Sequence, residues 1–159
     1  MLAALPLTGS AASPSFAFFS YSQVLDSMPD YIVVKQQMAD LQVQYQQEMA
    51  RAEEEFNKKY EDFVESQSTL AQPIRMKRQA ELQELMEKNV AFKDEAYRLL
   101  QQAEQEALAP IVARLNEAIR TLGKERGYAF ILNTDNNTVP YVNPEMGEDI
   151  TDLILQRLK

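Results

Sequence analysis

Residues 128–142 read YAFILNTDNNTVPYV, and they break sharply with what precedes them. From Asp30 to Leu122 the chain has no glycine and is dominated by Gln, Glu, Ala, Leu, Lys and Arg, all good helix formers. The quoted stretch instead alternates Tyr128, Phe130 and Leu132 with smaller residues, turns at DNNT, and leaves through Val139 and Val142. Alternation around an Asn-rich turn predicts a short β-hairpin. Two strands alone are marginal in water. The hairpin therefore needs a further strand, and the helical run has to bring that strand to it.

The candidate lies at the other end of the sequence. In SFAFFSYSQVL, strand geometry would put Phe16, Phe18 and Ser20 on one face and Ala17, Phe19 and Tyr21 on the other. Aromatic side chains on both faces predict burial on both. DSMPDY then supplies a turn, and Asp30 can cap the helix that follows.

Within the helical run only Pro73 and Pro110 punctuate strongly. Met38, Leu41, Tyr45, Met49, Ala52, Phe56, Tyr60 and Phe63 recur in steps of three and four. That narrow apolar stripe predicts a long helix with one main partner. Its eleven-residue repeat favours a nearly straight or slightly right-handed pairing. The weak helix formers Ser66, Ser68 and Thr69, followed by Pro73, predict a reversal near 67–73. A second apolar series, Leu82, Leu85, Met86, Phe92, Ala96, Leu99, Ala103 and Leu108, matches the first in extent. Two antiparallel arms of roughly 50–60 Å follow at 1.5 Å per residue. Past a kink expected at Pro110, the helix continues to Gly123 or Gly127. DITDLILQRL closes the chain as a short helix.

The expected fold is α+β and mostly α. A long antiparallel helical hairpin sits on a small β body made by the N-terminal strand and the C-terminal β-hairpin, and the body oligomerises. Such a sheet has open edges and a small core, which makes it a poor monomer. The expected organisation is residues 1–15 as a signal peptide remnant and 16–29 as body strand and turn. Residues 30–109 form the helical hairpin, with its tip near 67–73, and 110–159 form body helix, β-hairpin and closing helix. MLAALPLTGSAAS carries the apolar run and small residues of a secretory signal, and no run approaches the roughly 18 residues needed to span a bilayer.

Composition narrows the function. The chain has 159 residues with 24 Asp and Glu against 16 Lys and Arg, a net charge of −8, which disfavours a nucleic-acid binder. It contains no Cys and no His, removing thiolate chemistry, zinc-thiolate sites and the commonest general base. The four glycines stand apart and make no phosphate loop. Glu53, Glu54 and Glu55 are consecutive, so on a helix they point apart and cannot converge on an ion. Catalytic, cofactor and metal sites are accordingly expected to be none, and the chain is not expected to be an enzyme.

Two regions invite binding. Residues 66–80 hold Arg75, Lys77 and Arg78 and no acidic residue. With Leu70, Ile74 and Met76 they could form a cationic, partly apolar tip for an anionic lipid surface or an acidic segment. Val43 and Val64 flank the stripe of the first arm and are candidates for a binding side. Phe16, Phe18, Phe19, Tyr21, Phe130 and Leu132 are the candidates for the oligomer core.

FFSYSQVLDSMPDY at the front, LAPIVARLNEAIRTLGKERGYAFILN at the return and DITDLILQRL at the end resemble the Skp family of OmpH-like periplasmic chaperones. The resemblance covers residues 16–159. It implies a homotrimer whose helical hairpins surround a cavity, a periplasmic location after signal removal, and unfolded outer membrane β-barrel proteins as partners. It implies an ATP-independent holdase that prevents their aggregation. The other reading is a structural coiled-coil spacer that binds no clients.

Overall fold

The computed structural model describes residues 16–159, so the signal-like segment 1–15 lies outside the described residues. The elements run β1 (Phe16–Phe19), α1 (Tyr21–Asp26), α2 (Pro29–Ser66), α3 (Gln72–Arg126), β2 (Ile131–Asn133), a 3-10 turn (Asp135–Asn137), β3 (Gly147–Asp149) and α4 (Thr151–Leu158). Contacts divide the chain into two compact units. One comprises described residues 16–31 with 111–159; the other comprises residues 32–110.

The unit 32–110 is a helical hairpin. Pairing between α2 and α3 is antiparallel. The Tyr45 and Phe92 rings meet at 6.1 Å, Asn89 Nδ2 donates to the Ala52 carbonyl at 3.1 Å, and Arg78 donates to Ser66 Oγ at 3.3 Å. Met38, Leu41, Tyr45, Met49, Ala52 and Phe56 are half-buried and Phe63 is buried, as the stripe predicts. Across from them Ala96 is fully buried and Leu82, Leu85 and Phe92 are half-buried. Tyr60 and Met86, counted in these series, are instead half or more exposed.

In the other unit the sheet order is β2-β1-β3, with both outer strands parallel to β1. This corrects the expected β-hairpin, since β2 and β3 flank β1 and do not pair with each other. The physical reason lies in the second half of the quoted stretch. Asn136 and Asn137 both take positive φ, as a hairpin turn would require. Pro140, however, offers no N–H to a ladder, and residues 138–142 form no strand. The chain runs on until Gly147 and joins the far edge of β1.

Register explains the glycine. Phe16 lies opposite Gly147, where a Cβ would meet the Phe16 ring at 2.4 Å. A side chain at 147 is thus excluded unless the ring moves. α3 ends at Gly127, which has φ +71°. The Tyr128 N–H returns to the Gly123 carbonyl at 3.1 Å, the longer of the two bonds of a Schellman ending.

β1 stops at Phe19 and does not run on through Tyr21. Ser20 caps α1 instead, its hydroxyl accepting from the Gln23 N–H at 3.2 Å. Asp135 reinforces the junction from the far end of the sequence. It accepts from Ser20 Oγ at 2.7 Å and from the Ser22 N–H at 2.7 Å. Partial burial pushes the Asp135 carboxyl pKa up, but these donors and Asn133 outweigh it and hold it below the usual value. Asp30 does not cap α2. The helix begins at Pro29, a favoured first position, and Asp30 in its first turn pairs with Arg114 at 2.9 Å. The kink expected at Pro110 does not interrupt α3, which is continuous through it. Glu106, whose carbonyl loses its partner there, is exposed and can meet water.

Candidate functional site

The sheet has a covered and an open face. Ala17 and Phe19 are buried with Val24, Met28, Leu115, Ile150 and Ile154, forming the core of the unit. Phe16 and Phe18 alternate onto the opposite face and are half-buried. Phe18 pairs in register with Leu132, and Phe16 stacks on Phe130 at 5.4 Å with the rings 15° apart. Phe130 remains 52% exposed. Four large apolar side chains, Phe16, Phe18, Phe130 and Leu132, therefore share one uncovered patch. On the other side of the sheet, where Glu148 pairs in register with Ala17, Tyr128 donates its hydroxyl to the Glu148 carboxylate. Burial, and then this bond to an anion, push the phenol up to about 12.

The helical hairpin offers a different kind of surface. Outside the seam, Val43, Tyr60, Val64, Ile74, Met76, Met86, Val90 and Tyr97 are all exposed. They are spread along both arms. The groove between the arms near the tip is lined by Lys59, Asp62, Arg78 and Glu81 beside Phe63 and Leu82. It is charged at its rim and gives no enclosed apolar pocket. Among the described residues no acidic cluster is placed to hold a metal ion, and no helix is long and apolar enough to cross a membrane.

A small three-stranded sheet at the chain ends and a long helical hairpin between them is the architecture that the comparisons recover. The family model of OmpH-like outer membrane proteins matches residues 15–158. The chain belongs to the OmpH-like family. Among solved structures, a Caulobacter crescentus protein described as an OmpH-like outer membrane chaperone superposes with a TM-score of 0.76. Identity is 20%, over 97% of this chain and 89% of that one, so the likeness establishes the fold. No curated protein matches the chain.

The structure sorts the OmpH-like candidates. Phe16, Phe18, Phe130 and Leu132 come together on the open face. Phe19 does not: it is 4% exposed in the protomer's own core, because strand alternation pairs it with Ala17. Tyr21 is half-buried in α1, its ring 6.0 Å from Phe19. At the tip Leu70 and Arg75 are half-buried, while Ile74 and Met76 are exposed. Lys77 lies 3.4 Å from Glu81, and Arg78 engages Ser66. Two of the three tip cations thus have partners within the hairpin. Val64 lies beside the seam, whereas Val43 lies roughly 160° round the helix from it at 100° per residue. The two lie on the same side of the seam, about 60° apart. Tyr60, Met86, Val90 and Tyr97 were missed by the sequence reading. Their helical phase relative to the seam was the signal available to find them.

Proposed function

We propose that this OmpH-like chain is an ATP-independent holdase that binds unfolded outer membrane β-barrel proteins in the periplasm and prevents their aggregation. It acts as a homotrimer joined through the open aromatic sheet face, with the tip cations as a secondary contact to anionic membrane. One observation carries the reading. The hairpin keeps apolar side chains exposed at many separate points along both arms, and the groove near its tip is open and charged at its rim. A pocket suits one ligand, whereas dispersed Val, Met and Tyr suit many sequences, each contact adding little. An unfolded β-barrel chain offers the complement, apolar residues alternating with polar ones and no single motif.

The test is the aggregation of a purified β-barrel protein diluted from urea, followed by light scattering without nucleotide. Scattering should fall in proportion to the chaperone added and plateau at a fixed stoichiometry. Unchanged scattering at every ratio would leave the spacer reading in its place.

A further inference from the structure

The two flanks of the helical hairpin differ in chemistry. At about 100° per residue, each helix has a seam and two flanks, one on either side. Lys59 and Asp62 of α2 and Arg78 and Glu81 of α3 line a single groove, so these four mark the same side of the hairpin. The ion pairs Glu48–Arg51, Glu55–Lys59, Lys77–Glu81, Glu84–Lys88 and Glu95–Arg98 fall in that phase on their helices. Tyr60 and Val64 on α2, and Met86, Val90 and Tyr97 on α3, fall roughly 60–130° to the other side of the seam. In an antiparallel pair, flanks of like phase lie together. These five therefore form one strip on the side opposite the charged groove. They are 51%, 44%, 50%, 58% and 58% exposed. Glu53 and Lys93 interrupt the strip, and Asn57 and Gln79 border it with side-chain amides.

Spacing identifies the occupant. Along a helix, residues four apart are separated by about 6 Å. That is the spacing of Tyr60 to Val64 and of Met86 to Val90. In an extended chain, side chains on one face recur about every 6.6 Å. A segment that alternates apolar and polar residues can therefore set two successive apolar side chains against either pair. The strip runs roughly 25 Å, long enough for about seven extended residues. The bordering amides can meet main-chain groups that such a segment leaves unpaired.

We propose that this more apolar flank, and not the flank of ion pairs or the tip, is the surface that takes extended, alternating segments of unfolded β-barrel proteins. The assignment rests on the holdase reading and adds which side of the hairpin does the holding.

The test compares two variants of the full chain with the parent, using a purified, urea-unfolded β-barrel protein as client. One is Val64→Gln, Met86→Gln, Val90→Gln and Tyr97→Gln; the other is Glu48→Gln, Glu55→Gln, Glu81→Gln and Glu95→Gln. Seven of the eight positions are exposed and Glu48 is half-buried, and Gln is a good helix former. The first variant should weaken client binding by about ten-fold or more, and the second by less than about two-fold. Equal losses, or a loss confined to the second, overturn the assignment. A parent that binds no client defeats the holdase reading itself, and the assignment falls with it. Single photo-cross-linking residues at Val90 and at Glu55 give a check that does not depend on the multiple variants folding. Client should be captured from 90 and not from 55. Capture from 55 instead, or capture of a second copy of this chain from 90, overturns the proposal.

Discussion

Two side-chain relationships in the sheet unit have measurable consequences. Gly147 lies under the Phe16 ring with no room for a methyl group. Gly147→Ala should cost roughly 1–3 kcal/mol, the usual range for overpacking, read by urea unfolding of the full chain. Adding Phe16→Leu should recover part of the loss if the ring is the obstacle. Tyr128 gives the second. Its folded pKa of about 12 lies above the ordinary 10.0, so its neutral phenol contributes stability that is fully present below about pH 10. That contribution is lost as pH rises through about 12. Tyr128→Phe should remove the alkaline dependence while lowering stability at neutral pH, seen as a flatter melting temperature between those values. Neither relationship was readable from the sequence. Gly147 stands in a turn-like NPEMGED, where a glycine needs no ring above it, and Glu148 meets Tyr128 only because β3 crosses to the far edge of β1.

Among the elements, the helices were largely legible and the strand pairing was not. A long glycine-free run with steps of three and four leaves little choice but two helices, and Ser66, Thr69 and Pro73 put the reversal where α2 ends and α3 begins. Strand pairing is a long-range choice, and YAFILNTDNNT carries a hairpin's local signals in full. Pro140, which offers no N–H to a ladder, is the local signal against it. The side-to-side asymmetry of the hairpin was hidden for another reason. Tyr60 and Met86 fit the spacing of the seam, and spacing alone does not tell its centre from its edge. The junction of β1 and α1 yields two predictions. Ser20→Ala removes a cap and a bond to Asp135 and should cost about 0.5–2 kcal/mol, measured by thermal unfolding. Asp135 has a lowered folded pKa, so its contribution is present above the unfolded value near 3.9 and is lost as pH falls through the folded one. Asp135→Asn should therefore flatten the acid limb of the stability profile below about pH 4.

At the scale of the whole molecule, assembly and client binding are separable. Phe18→Asp places a charge in the open aromatic face. It should dissociate the proposed trimer, since burying an unpaired charge costs several kcal/mol, and light scattering should report a monomer. A monomeric parent at micromolar concentration would show that the face is not an oligomer contact. Client affinity should change little between low and about 1 M salt, where the screening length falls to roughly 3 Å. Arg75→Glu with Lys77→Glu and Arg78→Glu should have only a modest effect. Release of client by salt would move the binding surface to the cationic tip. The sheet topology also bears on the order of synthesis. β1 leaves the ribosome before the other described elements, yet its hydrogen-bonding partner Thr134 is 115 residues further on. At 5–20 residues per second that is a wait of roughly ten seconds. During it FAFF has no sheet to join, while the arms, whose contacts are closer in sequence, can already pair. β1 is thus made before either of its partner strands, and until they follow, a protein proposed to guard unfolded strands carries an unpaired strand of its own.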